Sequence, residues 1–135
     1  MAVFAITSEF TSLNGGDLSQ YLRSSVLTVD VAELDTTDFA SAGWTDMIGG
    51  LKSGSLAMTF NDDVAVSTID SILWPLLGTV VTFEVRPTSA VVGTSNPKWT
   101  GSVLVTQHTI GGGVGELAQK SLTFPTSGAV TRATA

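Results

Sequence analysis

Val80-Val-Thr-Phe-Glu-Val-Arg-Pro87 sets Val81, Phe83 and Val85 on one side and Thr82, Glu84 and Arg86 on the other. Successive side chains of an extended strand point to opposite faces, so this stretch reads as a strand with one buried face, closed by a proline. The same period returns on both sides of it. Leu27, Val29 and Val31 alternate with Thr28, Asp30 and Ala32, and Leu56, Met58 and Phe60 with Ala57 and Thr59. After Trp99, Val103 and Val105 alternate with Ser102, Leu104 and Thr106, leaving both faces partly apolar. Ala118, Leu122 and Phe124 share one face of a closing strand, with Gln119, Ser121 and Thr123 on the other. Val3 to Thr11 reads as a further strand of less regular pattern. Turn signals at Asn14-Gly-Gly-Asp17, Asn61-Asp-Asp63, Arg86-Pro87, Asn96-Pro97 and Gly111-Gly-Gly113 punctuate these runs. The chain is predicted to be mainly β.

One segment departs from period two. Ile69, Ile72, Leu73, Leu76 and Leu77 follow the spacing of an amphipathic helix, with Ser67 as the expected N-cap and Asp70 completing a capping box. Pro75 removes a helical hydrogen bond and clashes with the preceding turn. The regular helix is therefore expected to end near Trp74, with a kinked last turn closed by Gly78. A short helix covering an antiparallel sheet, or the end of an open barrel, is the simplest architecture.

Composition bounds the function. The 135 residues suit one domain, 1–135, whose core needs no metal or disulfide. The absence of cysteine excludes disulfides, zinc–thiolate sites and thiol catalysis, and the single His108 excludes multi-histidine metal sites. Charged residues make up 13%, against roughly 25% in typical soluble domains. With a positive mean hydropathy, that points to surface destined for burial against neighbours. The net charge of −6 argues against wrapping nucleic acid, since Arg23, Lys52, Arg86, Lys98, Lys120 and Arg132 are scattered singly. The start shows no basic leader with an apolar run behind it, and the run from Ile72 to Leu77 is too short to span a bilayer. Synthesis in the cytoplasm, without export or membrane attachment, is the expectation.

Possible chemistry is thin. Asn61-Asp62-Asp63 with Asp70 offers carboxylates, but lacks calcium-loop spacing and reads better as a turn entering a capped helix. Gly111-Gly-Gly-Val-Gly115 lacks a Gly-Lys-Ser/Thr ending and precedes a strand, so it reads as a hairpin loop. His108 has no nucleophile partner in sequence. No enzyme activity, metal or cofactor is expected. Two segments look built for association instead. The connection of residues 35–54 is long for a compact domain and carries Phe39, Trp44, Met47 and Ile48, with Leu51 and Lys52 behind them. Either it folds back over its own core, or it is a hairpin-like arm burying those side chains on another subunit. The tail of residues 125–135, with Val130 and Arg132, is too polar to build a core and reads as a second arm.

Asp17-Leu-Ser-Gln-Tyr-Leu22, Glu33-Leu-Asp-Thr-Thr-Asp38, Gly50-Leu-Lys-Ser-Gly54, the Val80–Pro87 strand and Leu122-Thr-Phe-Pro-Thr-Ser-Gly-Ala-Val-Thr-Arg-Ala-Thr134 follow one another in an order that resembles the tail tube (major tail) proteins of long-tailed, non-contractile bacteriophages. The resemblance covers nearly the whole chain. It implies two packed antiparallel sheets, a sandwich or flattened barrel, with a helix at the side. It also implies hexameric rings stacked into a tube that carries double-stranded DNA from the virion. Partners would be the chain itself and the tape measure, terminator and distal tail proteins. Residues 35–54 and the terminal arms would make inter-subunit contacts. An acidic and hydroxyl-lined lumen would repel phosphate, with Asp30, Glu33 and Glu84 as its expected charges. Two other readings share the alternation: another virion part, such as a tail terminator or head decoration protein, and a β-sandwich that binds carbohydrate or a cell surface. The latter should show aromatics on one rigid face, whereas Trp44, Trp74 and Trp99 fall in a loop, a helix and a strand start.

Overall fold

A computed structural model describes residues 3–135; Met1 and Ala2, which open the stretch read for a leader, lie outside it. Among the described residues, eight strands form two antiparallel sheets. Strands β1 (Phe10–Leu13), β2 (Gly16–Asp17), β5 (Val80–Arg86), β6 (Lys98–Leu104) and β8 (Thr131–Ala133) make one, in the order β2-β1-β5-β6-β8. Strands β3 (Leu22–Asp35), β4 (Met47–Asn61) and β7 (Gln119–Pro125) make the other, in the order β3-β4-β7. The short helix α1 (Ile69–Leu73) runs into a 3-10 turn over Trp74–Leu76. The expected class therefore stands: mainly β, two sheets, one short helix.

The alternating residues fill the space between the sheets. Val81, Phe83 and Val85 of β5 and Val103 of β6 meet Leu56, Met58 and Phe60 of β4 and Leu122 and Phe124 of β7. Ile69 and Leu73 of α1 close one side of this core. Thr11 donates its hydroxyl to Ser25 at 3.1 Å, a buried hydrogen bond that ties the two sheets. A single bridge, Val103 to Thr126, also joins them. Asn14 and Gly15 both take positive φ, 54° and 81°, as a two-residue hairpin turn between β1 and β2 requires.

Several local expectations change. The N-terminal strand is confined to Phe10–Leu13, and Val3, Phe4 and Ile6 are exposed and unpaired in any sheet. The helix is capped at Thr68, not Ser67: Ser67 takes φ of 64°, outside the extended region that an N-cap occupies. The expected capping box is absent, because the Asp70 carboxylate turns inward to Lys120. Pro75 sits in the 3-10 turn, so the helix ends at Leu73 as the proline dictates. The glycine-rich segment is not a hairpin loop, since β6 and β7 belong to different sheets. On the outer edge of β7, Gln107 Oε1 accepts from Thr123 N–H and the Thr109 hydroxyl donates to Ser121 C=O.

Candidate assembly surfaces

The connection read as residues 35–54 is in large part strand at its two ends. Pairing of β3 with β4 runs from Leu22↔Phe60 to Asp35↔Met47, so only residues 36–46 turn the chain. From Val29 and Gly54 outward this hairpin has no third strand beside it, because β7 pairs with β4 only as far as Ser55. The result is a two-stranded arm. Gly54 stands at its root, where a Cβ would sit 2.8 Å from the Thr28 carbonyl oxygen. A bulge on β4, opposite Ala32, breaks the register between Val31↔Lys52 and Glu33↔Gly49.

The arm's tip is tightly built. Thr36 N–H donates to Asp46 C=O at 2.9 Å, and Asp46 N–H to the Thr37 hydroxyl at 2.8 Å. The short 3-10 turn Phe39–Ser41 has a full capping box: Asp38 accepts from Ala40 N–H, and Ser41 Oγ accepts from Asp38 N–H. Ala42 and Gly43 then take left-handed conformations, φ 54° and 84°, to reverse the chain. Hydrogen bonds from Thr37, its hydroxyl first and its N–H next, hold the Asp35 carboxyl below the usual carboxylate range. These bonds leave the apolar side chains outside. Phe39 is fully exposed and Trp44 is 79% exposed, with Val29, Val31, Leu34, Met47, Ile48 and Leu51 also open to solvent. Folding back over the core is thereby excluded for these residues, and Lys52 is exposed beside Val31.

The C-terminal segment behaves differently. Thr131–Ala133 pairs with β6, matching Lys98↔Ala133, Trp99↔Arg132 and Thr100↔Thr131. Val130 packs against the core, and the Arg132 guanidinium lies 5.7 Å from the Trp99 ring centroid. The tail is an edge strand of its own domain, not an arm trailing from it. Its short β-pairing outweighs its poor hydrophobicity because Val130 and the Trp99 ring supply the missing apolar contact.

The three acidic residues expected together fall on three surfaces. Asp30 follows Thr28 on the outer face of the three-stranded sheet. Glu33 lies opposite Gly49 on the other side of the arm, sharing it with Val31. Glu84 is on the outer face of the five-stranded sheet, where it pairs with Arg86 at 2.7 Å. Arg86 in turn sits 3.9 Å above the Phe10 ring.

Two features were not anticipated. An apolar mouth of about 430 Å³ opens between the sheets, lined by Phe4, Ile6, Leu27, Val29, Val85, Pro87 and Trp99. Burial there pushes the Glu9 carboxyl up in pKa, against a smaller opposing effect of its hydrogen bond with Ser25. Inside the domain, Lys120 is wholly buried, with its Nζ 3.2 Å from Asp70 Oδ1, 3.4 Å from Asp62 Oδ2 and 2.6 Å from Thr109 O. His108 Nε2 lies 3.0 Å from the same Asp70 oxygen, and its ring meets Trp74 edge-on at 5.2 Å. Two of the carboxylates weighed as calcium ligands, Asp62 and Asp70, are thus brought together around an ammonium group, while Asp63 caps the turn at Ala65. Parity along β7 carried the signal, for Lys120 is in phase with Leu122 and Phe124.

These features define a class by shape: a two-sheet β-sandwich with one bare hairpin extended past its core. No family profile matches the chain, and no curated protein matches it. Among solved structures it is similar to a chain in the virion of a native gene transfer agent particle, with TM-score 0.67 and 20% identity over 83% of this chain and 84% of that one. It is also similar to a chain in the tail of an empty particle of that kind, refined with helical methods in C6 symmetry. There the TM-score is 0.65 and identity 19%, covering 82% of this chain and 81% of that one. At such identity the likeness is one of fold.

Proposed function

We propose that this chain is a tail tube protein: six copies close into a ring, and rings stack into the channel through which double-stranded DNA leaves the virion. The observation that carries this reading is the arm, whose apolar side chains are uncovered on both of its faces. The fold shared with a chain of a C6-symmetric tail supports the same reading. Full burial of a side chain such as Phe39 or Met47 against a neighbour contributes about 1.5–3 kcal/mol. Repeated at every subunit of a ring, this offsets the rotational and translational cost of association. A projecting arm and its receptor lie on different parts of the surface, so the contact is heterologous and propagates as rings or stacks. The role is structural rather than catalytic, and it places the protein in the particle's tail, next to tape measure, distal tail and terminator proteins.

Negative-stain microscopy of the purified protein, with light scattering against concentration, tests the proposal. Six-fold rings or tubes with a central hole are expected. A persistent monomer at high concentration would sink it, and a single closed ring that never stacks would point to a terminator instead.

A further inference from the structure

Given the tube reading, on which this inference rests, one of two sheet faces must look into the channel. We infer that it is the outer face of the three-stranded sheet, a hydroxyl wall that meets double-stranded DNA without holding it. Cross-strand registers place Ser24, Thr59 and Ser121 in one row and Val26, Ala57 and Thr123 in the next. Thr28, Ser55 and Pro125 follow, and Asp30 with Ser53 ends the polar part. Thr59 and Ser121 hydroxyls lie 3.4 Å apart across β4 and β7.

Cations decide between the faces, because phosphate adhesion comes from Lys and Arg neutralising the backbone and releasing its counterions. Those rows contain neither. Lys52 lies opposite Val31, on the side of the arm continuous with the core face, and Lys120 is buried. Arg23 falls in the β3 bulge between Leu22 and Ser24, at the sheet's corner. The five-stranded sheet differs. Val85 and Trp99 point toward the other sheet, where they line the apolar mouth with Leu27 and Val29. Arg86 and Lys98, one residue along, therefore project outward. A channel lined by that face would present a Lys98 ammonium to the DNA at every subunit, with Arg86 beside it already paired to Glu84.

Edges point the same way. A wall continuous from subunit to subunit needs a long strand edge to offer its neighbour. In the three-stranded sheet β3 is an edge strand of 14 residues, whereas the edges of the other sheet are β2, with 2 residues, and β8, with 3. The chemistry of the face also changes along the arm. Beyond Asp30 and Ser53 it continues as Ala32, Leu34 and Ile48, apolar where one ring's wall would give way to the next.

The chain has no cysteine, so a substituted thiol is unique. Tubes of Thr59→Cys and of Thr100→Cys are treated with a small maleimide and with a maleimide carried on a protein too wide for the channel. In tubes, Thr59→Cys should react with the small reagent and lose all reaction with the bulky one, while Thr100→Cys reacts with both. Ser121→Cys gives the same readout if Thr59→Cys does not assemble. The inference is overturned if tubes expose the Thr59 or Ser121 thiol to the bulky reagent, or hide it from both. Failure of the unsubstituted chain to form tubes overturns the tube reading itself, and this inference falls with it.

Discussion

Lys120 Nζ lies 3.2 Å from Asp70 Oδ1, an ion pair that fastens strand β7 to helix α1 inside the domain. The ammonium also faces Asp62, whose side chain is only 6% exposed. Removing one partner of a buried pair leaves the other charge without compensation. Lys120→Met fills much of the same space and leaves Asp62 unpaired. Its expected cost is about 3 kcal/mol, the lower end for such a loss. Urea unfolding of dilute, unassembled protein measures it; a change below about 1 kcal/mol would mean the cluster contributes little.

Hydrogen bonds from Lys120 first, and then from His108, hold the Asp70 carboxyl below its ordinary value of 3.8. A folded-state pKa lowered in this way adds stability that is whole above the unfolded value and lost as pH falls through the folded one. Asp70→Asn lacks that contribution. The gap in unfolding free energy between the native chain and this variant should hold steady at mildly acid pH and close below about pH 4. An unchanged gap down to about pH 2 would contradict the assignment.

Trp44→Ser with Met47→Ser removes two exposed apolar groups from the arm. Surface substitutions of this kind shift folding by about 0.5 kcal/mol or less. Assembly should suffer far more, with the critical concentration for polymerisation rising at least about tenfold, equivalent to 1.4 kcal/mol. Sedimentation across a concentration series reads the second quantity and thermal melting of the dilute monomer the first. A large fall in melting temperature with assembly intact would reverse their roles.

Truncation after Phe124 is expected to damage folding as well as assembly. It removes the bridge from Thr126 to Val103, the hydrogen bond from Ser127 N–H to Ser102 C=O, strand β8 and the packing of Val130. The half-buried Val130 and the uncovered Trp99 ring together represent about 2 kcal/mol. Chemical denaturation of the truncated monomer checks the size, and unaltered stability would restore the picture of a free tail.

The strands that alternate cleanly were legible because a buried face needs every second residue apolar, as in Leu56, Met58 and Phe60. The outer half of β4 was not. Gly49, Gly50 and Gly54 carry no side chain to mark a face, and the bulge shifts the period midway. An arm with apolar groups on both sides also has no alternation to show, so its composition, not its pattern, gave it away. Phe39, Trp44, Met47, Ile48 and Leu51 were visible as groups in search of cover. The burial of Lys120 was written in strand parity, yet the neighbouring polar residues obscured it. The lumen charges were misgrouped because Asp30 and Glu33 are three positions apart, which places them on opposite sides of one strand.

The paired arm imposes an arithmetic on any lineage that alters it. Adding one residue to each strand turns every side chain beyond the insertion to the opposite face, including the setting of the tip. Adding two to each restores the facing and lengthens the arm by about 7 Å. Reach can therefore change only in discrete steps while the same contacts are kept, and any intermediate length demands a new bulge or a new partner.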